Sequence, residues 1–356
     1  MRALAKYAVS LLLAGLLLWF VLRGTDLRLV GEQLARASLG GLVLAAAVNL
    51  GHNVFRVWRW GVLLRPVRPA IPFRPMFDAV ILGYMTSWII PGRLGELVRP
   101  ALLSGREGVP LGPCLGSIVA DRLLDGAAVV TLFGIGIAAT PLAGEAASHV
   151  EFIRGASVLM VCGVGAVLAA LLVAGRHRRR LEPWLARRGR AVAWIGRMLL
   201  AVSEGAEALR RPRLLALALL HTALAWGMIA LGLWIGLRAC GIALSPAAAA
   251  VLLPVLVFGI ALPTPGGAGG YHAMMTFGLT KLFGVDWSAA VGASILMHLT
   301  VVLPVCVLGT LLLIVDRIPV RDLIGAARQV RDLGAAPPRG APADFGGGRA
   351  PSEGRP

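Results

Sequence analysis

Charged side chains interrupt an apolar stretch between Trp88 and Arg99, W-I-I-P-G-R-L-G-E-L-V-R. Proline removes a backbone donor and glycine bends at little cost, so Pro91-Gly92 predicts a helix break inside a segment apolar enough to enter a bilayer. Charge at membrane depth is tolerated where protein or a water-filled cavity surrounds it. Arg93 and Glu96 are therefore candidate site residues, since a guanidinium can bind either a carboxylate or a phosphate.

Two pairs of ionisable residues share one spacing. Glu96 and Arg122 are 26 positions apart, and so are His272 and His298, each 176 positions after its counterpart. Glu96 is expected to pair with Arg122 or Arg93, either as a structural lock or at a translocation site. The histidines fit hydrogen-bonded packing or coupling to protons, and alone they lack the further ligands of a metal site, so no metal or other cofactor is expected.

Two other motifs carry charge. In A-D-R-L-L-D, Asp121 and Asp125 stand one helical turn apart around Arg122, which either neutralises them or forms with them a polar site for a lipid headgroup. In N-V-F-R-V-W-R-W, Arg56 and Arg59 are typical of an aromatic-arginine anchor at the membrane interface, with contact to a headgroup phosphate as the alternative.

Composition defines the class of protein. Of 356 residues, 57% are hydrophobic and 15% charged, and the mean hydropathy is +0.78, which indicates a polytopic membrane protein. The net charge of +17 comes from arginines in short segments between apolar runs, which favours a basic cytoplasmic face near anionic lipid rather than nucleic-acid binding. Four widely spaced cysteines indicate neither a disulfide framework nor a zinc site.

Apolar runs predict six membrane spans and two broken stretches. The spans are Leu4 to Leu22, which we interpret as retained rather than cleaved, Leu39 to Leu64, Pro113 to Ala139, Ile153 to Ala174, Leu214 to Leu237 and Trp287 to Val315. The broken stretches, Phe77 to Leu103 and Ala247 to Phe283, have halves too short to cross alone, which predicts re-entrant hairpins. The residues expected at the breaks are Pro91, Gly92, Gly95, Pro263, Pro265, Gly266, Gly267 and Gly269.

The arginine distribution orients these segments. The densely basic Arg176 to Arg213 and the tail after Val315 are expected in the cytoplasm, and the arginine-free Thr140 to Glu151 outside. We therefore predict an all-α polytopic membrane protein with six transmembrane helices, two broken re-entrant helical hairpins and both termini cytoplasmic. One feature fits less well, because Arg28 and Arg36 fall on the predicted external side.

The expected domains are a first membrane repeat (1–175), a cytoplasmic basic amphipathic connector (176–212), a second membrane repeat (213–315, completed by the span at 153–175) and a mostly disordered cytoplasmic tail (316–356). The repeats share a P-G-x-x-G core at Pro91 and Pro265, and Ser117-Ile118 matches Ser294-Ile295. Because the two hairpins enter from opposite sides in this topology, the repeat is predicted to be inverted, as in secondary transporters.

In F-R-V-W-R-W, P-G-R-L-G-E-L-V-R, D-R-L-L-D and P-T-P-G-G-A-G, the chain from about Leu39 to Ile314 resembles the flippase-like family related to the transmembrane region of lysylphosphatidylglycerol synthase. The resemblance implies a multi-pass protein of the bacterial inner membrane that moves lipids or lipid-linked molecules between leaflets. It implies translocation-site roles for the polar residues Arg93, Glu96, Arg99, Arg122 and Asp125. Relatives often have an acidic residue in place of His272 and an arginine in place of His298.

The predicted function is a lipid flippase-like transporter, with an ion-coupled small-solute permease of the same architecture as the alternative. No G-x-x-x-x-G-K-[ST] motif occurs, so energy would come from an ion or lipid gradient. We expect no enzymatic activity, because aminoacyl transfer would need a soluble domain beyond Val315. The expected partners are membrane lipids, anionic or lipid-linked, and not nucleic acid; homo-oligomerisation is left open.

Overall fold

The computed structural model describes residues 2–89, 95–140, 207–262 and 264–316, with isolated positions between 155 and 177 and residues 323 and 325. All regular structure in these ranges is helical. The main helices are α1 (Arg2–Leu22), α2 (Leu27–Arg36), α3 (Leu39–Leu64), α4 (Phe73–Ile89), α5 (Gly95–Glu107), α6 (Leu111–Ala139), α7 (Pro212–Ala239), α8 (Pro246–Ala261), α9 (Gly270–Phe283) and α10 (Trp287–Val315). Short 3-10 turns lie at Glu207–Arg210 and Pro265–Gly267.

Three of these helices, α6, α7 and α10, are long and apolar enough to cross a membrane, and α1 together with α2 makes a fourth candidate with an 89° bend. Helix α3 has 26 residues, enough length to cross, but Asn49, His52, Asn53, Arg56 and Arg59 make it more polar. The predicted bounds of α3 and α10 are confirmed. A total of six spans stays a prediction, since Ile153 to Ala174 and most of 176–206 lie outside the described residues.

Helix α2 explains the arginines that fitted the topology poorly. Asp26 caps its first turn by accepting from the backbone N–H groups of Arg28 and Leu29. Glu32 then lies 3.2 Å from both Arg28 and Arg36, and the arginines are largely exposed. A short amphipathic helix that turns sharply from α1 and neutralises part of its own charge suits a membrane surface better than a span.

Both broken stretches consist of two helices that pack on each other, α4 on α5 and α8 on α9. Glycines permit this packing. A Cβ on Gly95 would lie 1.7 Å from the carbonyl oxygen of Gly83, and one on Gly270 would lie 2.3 Å from that of Gly259. Real Cβ atoms do not approach so closely, so in each pair the two helices meet backbone to backbone.

The second break is built from glycines with left-handed backbone. Gly266, Gly267 and Gly269 have φ angles of +61°, +68° and +82°, which residues with a Cβ adopt only with strain. The chain thereby ends α8, makes the turn at Pro265–Gly267 and restarts as α9 within a few residues. The first break falls in residues 90–94, so Pro91, Gly92 and Arg93 lie outside the described residues, as does Pro263.

Each broken pair is the centre of a hydrophobic core. One core joins α4 and α5 to α3, α6 and Val305 of α10, and the other joins α8 and α9 to α6, α7 and the first half of α10. By contrast, α10 exposes a stripe at Leu299, Leu303, Val307 and Leu311, each 50–56% exposed. A long apolar stripe on a helix that also packs in the core is typical of a lipid-facing surface.

Candidate functional site: a buried arginine cluster

Helices α3 and α6 meet through two arginines and two aspartates. Arg56 and Arg59 lie three positions apart on α3, and Asp121 and Asp125 four apart on α6, so each pair shares a helix face. Arg59 Nε donates to Asp121 Oδ1 at 2.7 Å, and Arg59 Nη2 lies 2.8 Å from Asp125 Oδ1. Arg56 Nη1 donates to Asp125 Oδ2 at 3.1 Å. All four side chains are buried, Arg59 and Asp121 completely.

Helix α5 adds Arg99 and Glu96 to the same group. Arg99 Nη1 donates to Asp121 Oδ2 at 3.4 Å. Arg122 lies 3.3 Å from Asp121, 3.2 Å from Asp125 and 3.7 Å from Glu96 Oε1, which confirms the predicted Glu96–Arg122 pair. Arg122 and Glu96 are the partly exposed members of this group, with 35% and 30% of their side-chain surfaces exposed. We call this group the arginine cluster; it comprises Arg56, Arg59, Glu96, Arg99, Asp121, Arg122 and Asp125.

Aromatic rings enclose the arginine cluster. The Arg99 guanidinium lies 4.7 Å from the ring centre of Trp60 and 5.6 Å from that of Tyr84, and the Arg56 guanidinium lies 5.6 Å from Tyr84 and from Trp226. Tyr84 Oη accepts from Arg56 Nη1 at 2.7 Å, and Trp226 Nε1 donates to Asp125 Oδ1 at 2.8 Å. Ring faces stabilise desolvated guanidinium groups, so these rings help to hold the cations inside the protein.

The charges of the arginine cluster do not balance. Four arginines face three carboxylates, one of which is the partly exposed Glu96. Among the described residues, Nε and Nη2 of Arg99, Nε of Arg56 and Nε of Arg122 have no hydrogen-bond partner. Buried polar groups are normally paired, and an uncompensated buried charge costs several kcal/mol. Excess positive charge with donors to spare is the arrangement expected of a site that receives an anion.

A second polar group lies at the end of α4 nearest the first break. The rings of His272 (α9) and His298 (α10) are 4.8 Å apart, His298 stacks on Tyr271 at 4.9 Å, and Trp88 of α4 packs edge-on to His298 at 5.7 Å. The buried Nε2 of His298 has no hydrogen-bond partner among the described residues. We call His272, His298, Tyr271 and Trp88 the histidine group.

A buried serine fixes the proton of His272. Ser294 Oγ lies 3.1 Å from His272 Nδ1 and donates its own hydrogen to the carbonyl of Val291 at 2.7 Å. Since the hydroxyl hydrogen is used, Ser294 accepts and Nδ1 carries the proton. Ser117 of α6 behaves in the same way: it donates to the carbonyl of Cys114 at 2.7 Å and accepts from Trp60 Nε1 at 2.9 Å.

One face of α4 connects the two groups. Tyr84 contacts Arg56 and Arg99 of the arginine cluster, and Trp88 belongs to the histidine group. Residues four apart on a helix are neighbours, roughly 5–6 Å between Cβ atoms. Trp88 also touches the second break, since a Cβ on Gly267 would lie 3.0 Å from its ring. The two polar groups are therefore consecutive along α4.

The structure brings together most of the predicted site residues. Glu96, Arg99, Arg122 and Asp125 meet in the arginine cluster, and His272 meets His298. Arg93 lies outside the described residues. Arg56 and Arg59 are buried in the cluster, whereas the neighbouring Trp58 is 46% exposed; their role as an interface anchor or as a contact for a headgroup phosphate stays a prediction.

Sequence reasoning missed several members of the site. Asp121 was considered only with Arg122, and nothing singled out Tyr84, Trp226 or Thr222, whose hydroxyl accepts from Arg59 Nη1 at 3.2 Å. Trp60 was considered only as part of the aromatic-arginine anchor, although it lies four positions after Arg56 and therefore on the same face of α3. The others come from helices remote in sequence.

This is a membrane-embedded protein, helical throughout its regular described structure, with a polar cluster enclosed between apolar helices. The chain belongs to the family described as the lysylphosphatidylglycerol synthase TM region, whose family model matches residues 7–309. The predicted resemblance is thereby confirmed. A search of curated proteins found no match to the chain.

Proposed function

We propose that this protein is a flippase-like transporter that moves a phospholipid or lipid-linked molecule with an anionic headgroup between membrane leaflets. The observation that carries the proposal is the arginine cluster, which is buried, has one more cation than carboxylates and retains unpartnered guanidinium donors. A phosphate could accept from those donors and remove the excess charge. Arginine suits this role because its planar fork of N–H groups matches phosphate oxygens.

The physical problem for such a transporter is the headgroup. An isolated charge in hydrocarbon costs several kcal/mol, whereas acyl chains can remain in the bilayer during transfer. A path therefore needs polar groups at membrane depth that exchange partners with the headgroup. Arg122 and Glu96 are the partly exposed members of the arginine cluster, so the proposal assigns first contact with the headgroup to this pair.

The similar geometry of the two repeats supports a path that opens alternately to the two leaflets. Helices α6 and α10 have equal lengths and begin 176 positions apart. Each follows a pair of helices that pack against each other through glycines. The equivalent residues Glu96 and Arg122 contact each other, and so do His272 and His298. We infer an inverted repeat of re-entrant hairpins with six spans and both termini cytoplasmic, in a bacterial plasma membrane, that exposes the path to one leaflet at a time without covalent chemistry.

The test is leaflet-specific transport in vesicles containing the purified protein. Fluorescent phosphatidylglycerol placed in the inner leaflet should become accessible to an impermeant quencher. The measurement is made both with and without a proton gradient across the vesicle membrane. Glu96→Gln and Arg122→Gln should each abolish this transfer. Arg74→Gln should not, because Arg74 is 72% exposed and pairs with Asp316 outside the cluster.

Two results would contradict the proposal. If the lipid stays in its leaflet while a soluble anion crosses, the protein is a solute permease. If both cluster variants transport lipid at the rate of the unmodified protein, the arginine cluster is a structural lock and not the headgroup site.

A further inference from the structure

A second site lies on another face of α3. The residues Arg56, Arg59 and Trp60 face the arginine cluster, whereas Val57, Trp58 and Gly61 line a cavity of about 490 Å³. The connection to α4 and the start of α4 form its other wall, through Ile71, Phe73 and Met76. Most of the residues that line this cavity, which we call the apolar groove, have apolar or aromatic side chains; the exceptions are Gly61, Arg65 and His221.

The mouth of the apolar groove is basic. An adjoining cavity of about 480 Å³ shares Arg65 and Pro69 with the groove and is otherwise lined by Arg211, Arg213, Pro212 and Leu214 at the start of α7. No carboxylate lines either cavity. Arg211 pairs with Glu207 at 3.7 Å, but Arg65 and Arg213 form no ion pair with another residue that the structure describes.

We propose that the apolar groove and its basic mouth bind one anionic phospholipid, with an acyl chain against Trp58 and Phe73 and the headgroup phosphate between Arg65 and Arg213. A groove of mostly apolar side chains that adjoins arginines without an ion-pair partner among the described residues complements a molecule with hydrocarbon at one end and a negative charge at the other. A soluble anion would contact only the basic mouth, and a neutral lipid only the apolar groove.

This binding site is separate from the arginine cluster but adjacent to it. His221 lines the groove, and the next residue, Thr222, accepts from Arg59 in the cluster. A lipid held here would be placed beside the proposed path. Its binding does not depend on transport, so the site stands even if the proposed function fails.

The experiment measures lipid retention by native mass spectrometry on protein delipidated in mild detergent and titrated with phosphatidylglycerol or phosphatidylcholine of identical chains. The unmodified protein should retain one phosphatidylglycerol in preference to phosphatidylcholine. Arg65→Gln with Arg213→Gln should weaken phosphatidylglycerol retention about tenfold or more, since each arginine near a headgroup contributes roughly 1 kcal/mol. Arg28→Gln with Arg36→Gln removes the same charge from α2 and should change nothing.

A second variant tests the acyl-chain part. A Cβ on Gly61 would lie 3.6 Å from the end of Met76, an ordinary contact, so Gly61→Leu should fold and fill the groove. It should lower retention of phosphatidylglycerol although both arginines remain. Unchanged retention in Gly61→Leu or in the Arg65 and Arg213 double variant would overturn the proposal.

Discussion

Asp121 and Glu96 both contact Arg122, but they differ in burial and therefore in role. Asp121 is fully buried and accepts from Arg59, Arg99 and Arg122, whereas Glu96 keeps 30% of its side chain exposed and lies 3.7 Å from Arg122. A buried carboxylate among three cations is part of what holds α3, α5 and α6 together. Arg122 can exchange a partly exposed carboxylate such as Glu96 for a headgroup phosphate at much smaller cost.

Asp121→Asn should therefore be severely destabilising. The change leaves the buried Arg59 and Arg99 and the partly exposed Arg122 short of one negative charge, and breaking a buried ion pair from one side costs about 3–5 kcal/mol. Arg122→Gln is the matched comparison: Asp121 and Asp125 keep Arg56, Arg59 and Arg99, so the free energy of unfolding should fall much less. Denaturant unfolding in detergent measures both, and equal losses in the two variants would contradict this division.

His298→Phe should change stability little. Phenylalanine retains a flat ring against Tyr271 and Trp88 and removes the buried Nε2 that lacks a partner, which offsets the loss of the hydrogen bond between His298 and the Gly266 backbone. We therefore expect a change of at most about 1 kcal/mol in the free energy of unfolding. His221→Phe provides the contrast, since its hydrogen bond to the carbonyl of Leu217, at 2.7 Å from Nδ1, would be lost without the removal of a buried unpartnered nitrogen. A loss in His298→Phe above about 2 kcal/mol would contradict this balance.

At the scale of elements, the glycine contacts decide how closely the broken helices pack. Both broken pairs place a glycine of one helix against a glycine carbonyl of the other, Gly83 with Gly95 and Gly259 with Gly270. This contact brings α5 close enough to α3 and α6 for Arg99 to reach Asp121. The packing of the pair and the assembly of the arginine cluster are thus coupled.

Gly95→Ala should separate α4 from α5. Its Cβ would lie 1.7 Å from the Gly83 oxygen, so the helices must move, at an expected loss of about 1–3 kcal/mol or more in the free energy of unfolding. Gly105→Ala is the control in the same helix: nothing lies within 4 Å of its Cβ, and alanine favours the helix by up to about 1 kcal/mol. Equal stability of the two variants would contradict the close contact.

The bounds of the helices could be predicted better than the side-chain contacts between helices. The α10 bounds were predictable because the mostly apolar run from Trp287 to Val315 contains no Asp, Glu, Lys or Arg and lies between Asp286 and Asp316. The helix breaks were predictable because proline and glycine have local effects. The arginine cluster joins Arg59 to Asp121, 62 positions away, and Trp226 to Asp125, 101 positions away. Spacing in one sequence carries no information on such distant pairs, which is why Arg56 and Arg59 were interpreted as an anchor together with Trp58 and Trp60.

At the scale of the whole molecule, the inverted repeat makes a prediction about two equivalent positions. Pro110 precedes α6 and Asp286 precedes α10; they are 176 positions apart and both are exposed. If the helix pairs before them enter from opposite sides, these two residues lie on opposite faces of the membrane, although they stand at the same point of each repeat.

Single cysteines placed at Pro110 and at Asp286, in a background without the four native cysteines, should therefore differ in labelling by an impermeant thiol reagent. Asp286→Cys should react in intact cells, as should a cysteine in the Thr140 to Glu151 loop, whereas Pro110→Cys and a cysteine near Arg180 should react only after permeabilisation. Reaction of all four after permeabilisation shows that each is accessible. If Pro110→Cys and Asp286→Cys react from the same side, the repeat is not inverted, and the histidine group would then face the same leaflet as the arginine cluster instead of continuing the path from it.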